Sequence, residues 1–90
     1  MQSLRDNQAE GRLELDVEGR VVFADYRRQP GRLVIDHVEA PMELRGSGAA
    51  GALMEAIVAK ARAEGALIVP RCGYAAAWLK RHPQHSGLTA

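Results

Sequence analysis

Cysteine occurs once, at Cys72, and aromatic rings only four times, at Phe23, Tyr26, Tyr74 and Trp78. A lone cysteine excludes an internal disulfide and points to a reducing compartment. Four scattered rings exclude a base-stacking surface for single-stranded nucleic acid. An excess of either charge sign is also missing. Twelve Lys and Arg face 11 Asp and Glu, a net charge of +1, which leaves no basic footprint for nucleic acid. No run approaches the roughly 20 apolar residues of a membrane span. The opening MQSLRDNQAEGR is too polar for a secretory leader. Three histidines and one cysteine without regular spacing make no metal site. The absences predict a soluble, cytoplasmic protein with neither nucleic-acid nor membrane partners.

What is present suits one compact domain over residues 1–90. Hydrophobic residues make up 47% of the chain and charged ones 26%, a globular balance that can bury one modest core. Residues 1–10 carry no apolar pattern and are expected to fray. From Arg12 the chain alternates, with Leu13, Leu15 and Val17 on one face and Arg12, Glu14 and Asp16 on the other. That is the period of a half-buried strand. After a turn at Glu18–Gly19 a second strand puts Val22, Ala24 and Tyr26 on one face. After Gln29-Pro30-Gly31 a third puts Leu33, Ile35 and His37 on one face and Val34, Asp36 and Val38 on the other. Residues 48–64 switch to helical spacing, rich in alanine, with Gly65 placed as a C-cap. A short apolar run, ALIVP at 66–70, reads as a buried strand. YAAAWLKR then reads as a second helix, stopped at His82-Pro83, before a weakly structured tail. The fold class expected is α+β: an antiparallel meander, then a right-handed β-α-β crossover and a C-terminal helix.

GSGAAG, residues 46–51, matches G-x-G-x-x-G, a fingerprint of dinucleotide domains. Its surroundings do not match. A three-stranded meander precedes it, PMELR separates it from the last strand, and the strand that follows ends in Pro70-Arg71-Cys72 without the expected carboxylate. Arg71 at that point leaves room for NADP in principle, but there is no second mononucleotide half. No Lys-Ser or Lys-Thr follows the glycines, so a P-loop fits less well still. The shared physics survives. Glycines at the start of a helix leave unpaired amides and a partial positive charge open to an anion. The bland alternative is that they only permit a tight turn and close packing.

LRGSGAAGAL, residues 44–53, resembles the pyrophosphate-binding motif of GNAT N-acetyltransferases, Gln/Arg-x-x-Gly-x-Gly/Ala, with Arg45, Gly48 and Ala50 at the defined positions. HVEAP before the loop, VPRC after the long helix and WLKRHPQH beyond extend the likeness to a small single-domain GNAT-like group over roughly residues 6–85. The resemblance implies a three-layer fold that binds acetyl-CoA or coenzyme A. Backbone amides of Arg45, Gly46, Ser47, Gly48, Ala49 and Ala50 would hold the diphosphate. The third and fourth strands would splay to admit the pantetheine arm, beside Val38 and Pro70, and the thioester would lie near Cys72. The amine acceptor, a small molecule or a protein, is not readable. The chain is expected to be a monomer or weak homodimer.

Each candidate has a plain alternative. Cys72 is a nucleophile or acyl carrier, or a small buried hydrophobe. His37 is a base, or a packed or solvated side chain. Glu39 and Glu43 are its rivals at the same mouth, or merely solvated. Trp78 stands where relatives often carry tyrosine and is either core or the wall of the cofactor groove, which leaves the general acid unassigned, with Tyr74 nearby in sequence. Gly73 replaces a frequent proline. Lys80 and Arg81 compensate a helix dipole or reach the adenosine 3′-phosphate. The function these residues predict is acetyl transfer from acetyl-CoA to an amine. The alternative is a CoA-binding or interaction module with little turnover.

Overall fold

The structure, a computed structural model, describes residues 3–90. Alternation sets the sheet. β1 (Arg5–Asn7), β2 (Arg12–Val17), β3 (Arg20–Gln29) and β4 (Arg32–Glu39) form an antiparallel meander, and β5 (Leu67–Pro70) adds in parallel to β4, giving the order β1-β2-β3-β4-β5. Between them run a 3-10 turn at Met42–Leu44 and α1 (Ala49–Glu64). α2 (Gly73–Lys80) and a second 3-10 stretch, Pro83–Leu88, follow β5. The expected α+β class and meander-then-crossover order are both present.

Leu13, Leu15, Val22, Ala24, Leu33, Ile35 and Ile68 leave the sheet on one face and meet Leu53, Met54, Ile57, Val58 and Ala61 of α1 and Ala75, Trp78 and Leu79 of α2 in a single core. Deleting one such leucine typically costs about 2–5 kcal/mol. α1, α2 and Pro83–Leu88 touch one another on the core face. The opposite face is a ladder of charged pairs: Arg5 with Glu14 and Asp16, Arg12 with Asp25, and Arg27 with Asp36. Arg12 also lies 4.0 Å over the Phe23 ring. Side chains already paired in water gain nothing from a covering helix.

Three expectations are corrected. Arg5–Asn7 do not fray: they pair with β2, and Asp6 is bonded by Tyr26 and Arg28. Met1 and Gln2, also expected to fray, lie outside the described residues. The tail is not loose, since Ala90 N–H donates to Ile68 O at 2.9 Å and Thr89 bridges Ile68. The alternation of β4 breaks. Tyr26 pairs with Ile35 but Asp25 pairs with His37, so Asp36 is an extra residue, a β-bulge. Beyond it the phase flips. Val38, opposite Ala24, packs toward the core, while His37 turns to the charged face.

Candidate functional site

The β4–β5 ladder ends where Arg71 N–H donates to Ile35 O at 2.9 Å. Past that bond β4 continues to Glu39 while the other strand turns into α2, so the two diverge. The loop at the mouth is braced by its own turns. Leu44 N–H donates to Pro41 O, Arg45 N–H to Met42 O, and Ser47 N–H to Leu44 O. The Ser47 hydroxyl adds a bond to Leu44 O at 2.5 Å, and Arg45 Nε donates to Ala40 O at 3.3 Å. Gly46 and Gly48 sit at φ 81° and 89°, a region that penalises any side chain with a Cβ.

This bracing sorts the amides. Those of Arg45 and Ser47, expected among the anion donors, are spent on the loop itself. Those of Gly46, Gly48, Ala49, Ala50 and Gly51 have no acceptor among the described residues, and α1 has neither a side-chain cap nor an acidic residue in its first turn. The same five residues help line a cavity of about 330 Å³, together with Ala40, Leu44, Arg45 and Tyr74. Unpaired helix-start amides beside a cavity accept an anion, and Arg45 adds a cation at the rim. Arg81, the C-cap of α2, lies close enough for its charge to act on the Tyr74 phenol. A diphosphate fits this donor set.

Other candidates fall around this cavity rather than in it. Cys72 is the N-cap of α2. Its Sγ, partly exposed, accepts from Ala75 N–H at 3.3 Å at the point where the strands part. His37 Nε2 lies 3.0 Å from Glu39 Oε1, both half exposed, on the charged side of β4. That bond holds Glu39 below the usual carboxylate range. Glu43 pairs with Arg20 at 3.6 Å. Val38 is half-buried against the core. Trp78 is 4% exposed, with Nε1 3.5 Å from the position a Cβ on Gly51 would take, so it floors the loop from below. His82 stacks on its ring at a 3.9 Å centroid distance. Pro70 and Lys80 line a different, mostly apolar cavity between α2 and the Pro83–Leu88 stretch. Sequence reasoning singled out neither Gly51 as a cavity residue nor Tyr74 as its far wall. The third glycine of the fingerprint and the helical spacing of Tyr74 and Trp78 were the available signals.

A family model described as GCN5-related N-acetyl-transferase matches residues 12–88, from the start of β2 to the end of the last 3-10 stretch. None of the curated proteins compared with the chain matches it.

Proposed function

The chain belongs to the GCN5-related N-acetyltransferase family, and on that premise we propose that it binds coenzyme A at the glycine loop and transfers acetyl from acetyl-CoA to an amine. The observation that carries the reading is that Gly46 and Gly48–Gly51, whose amides have no acceptor among the described residues, line one cavity. When bound, acetyl-CoA supplies an acetyl group already activated as a thioester. The chain's own residues do the rest. The loop amides hold the diphosphate with the helix dipole behind them. Arg45 and Arg81 balance its charge. The divergence past Ile35 and Arg71 leaves backbone free for the pantetheine arm, with Cys72 at its inner end. His37, whose Nε2 lies 3.0 Å from Glu39 Oε1, is the candidate acceptor for a proton from the amine.

A second reading, a CoA-binding module with little turnover, draws support from one observation: neither Cys72 nor His37 lines the loop cavity. Thermal unfolding with coenzyme A, acetyl-CoA and NADPH tests the shared part. A rise with both CoA species and not with NADPH is expected, about 2.7 kcal/mol of stabilisation at a hundredfold excess over Kd. No rise with coenzyme A, or an equal rise with NADPH, rejects it. Thiol release from acetyl-CoA against a panel of amines then separates enzyme from module. Cys72→Ala with unchanged release excludes a nucleophilic cysteine.

A further inference from the structure

We infer that the Tyr74 hydroxyl is the side-chain donor that closes the loop's anion site from its opposite wall, an assignment that rests on the reading of a diphosphate at this loop. Tyr74 is the one lining residue from the β5–α2 side of the divergence; every other comes from the β4–α1 side. It is 38% exposed, and its oxygen lies 4.0 Å from the place a Cβ on Gly51 would occupy, above the first turn of α1.

The two tyrosines make the contrast. Tyr26 is engaged by Asp6 and Arg28, whereas among the described residues no side-chain hydrogen bond acts on Tyr74. Partial burial pushes the Tyr74 phenol upward against the opposing charge of Arg81, so at neutral pH it keeps a proton to donate. Gly51 gives independent support. Its φ is not in the left-handed region, so no turn requires glycine there, and glycine inside a helix costs stability relative to alanine. What its missing side chain leaves is a methyl-sized space bordered by the Trp78 indole and the Tyr74 hydroxyl, beside the loop whose amides are free. A phosphate oxygen in that space accepts from the loop below and from the phenol above.

Trp78, the sole tryptophan, lies under the loop, so its fluorescence reads binding directly. Tyr74→Phe is expected to weaken coenzyme A and ADP alike by about tenfold, the effect of one hydrogen bond to a charged group, with Tm unchanged and pantetheine affinity unaffected. Gly51→Ala, whose methyl makes only ordinary contacts at 3.5 and 4.0 Å, is expected to raise Tm while weakening coenzyme A. Equal affinity of wild type and Tyr74→Phe for coenzyme A overturns the inference and leaves the diphosphate reading standing. So does a loss confined to pantetheine, which would place the hydroxyl at the thiol end. Failure of the wild type to bind coenzyme A or ADP overturns the underlying reading itself.

Discussion

The two ends of α1 are finished in opposite ways. At the C-terminus Gly65 takes a left-handed conformation and its amide donates back to the last turn. Glu64 is gripped there by Arg28 at 2.9 Å and by Lys60 at 2.9 Å, and Arg28 reaches on to Asp6 of β1. Glu64, Lys60, Arg28 and Asp6 form one network, and the helix is tied to β1 and β3. The N-terminus carries no capping side chain and no acid, and it leaves its amides open. One helix thus separates structure from site. Capping an N-terminus is worth about 1 kcal/mol, a stabilisation this helix forgoes at the end where we propose that the diphosphate binds.

Forcing the open end out of shape should have the largest effect. Gly48→Val introduces a β-branched residue at φ 89°, in otherwise open space. The backbone strain is expected to lower stability by about 2 kcal/mol. Turning the amides away should weaken coenzyme A by about a hundredfold, equivalent to two charged hydrogen bonds. Denaturant unfolding and fluorescence titration measure the two; full binding by the variant would mean the loop geometry is not the site.

Making the two ends alike comes next. Ala50→Glu supplies the acid missing from the first turn, so stability should rise by about 0.5 kcal/mol while coenzyme A affinity falls about tenfold. If stability and affinity fall together, the open end is not a stability sacrificed for binding.

Loosening the closed end should do least. Glu64 is 31% exposed and Arg28 42%, so solvent screens the pair, and Glu64→Gln is expected to cost no more than about 1 kcal/mol, with coenzyme A affinity unchanged. The pH dependence has a definite sign. Arg28, then Lys60, lower the Glu64 carboxyl to about 2 from its ordinary 4.5. A depressed acid stabilises the fold above its unfolded value and loses that contribution as pH falls through the folded one. The stability difference between wild type and Glu64→Gln should therefore be full above about 4.5 and shrink as pH falls toward 2. A difference that is flat through that window would show the network to be idle.

The strand pattern was legible because two-residue alternation records which face is buried, and Leu13, Leu15, Val22, Ala24 and Ile35 are all in the core. The same rule failed at His37, since a bulge adds a residue without any mark in the composition; only the pairing of Asp25 with His37 reveals it. Gly46 and Gly48 announced a loop that turns through left-handed backbone. Which amides remained free was not readable, because Arg45 and Ser47 spend theirs on carbonyls three residues back.

By itself the order of residues determined the α+β class, the glycine loop at the head of the long helix and the cysteine after the last strand, all consequences of local period and backbone freedom. Tertiary structure decided what those features face. It brought Tyr74 over Gly51, set Trp78 beneath the loop, tied Arg5–Asn7 to the sheet edge, and turned Pro70 toward a separate cavity. Periodicity assigns a residue to a face of its own element. Which residues meet across elements depends on how those faces pack, and that is settled only when the core closes.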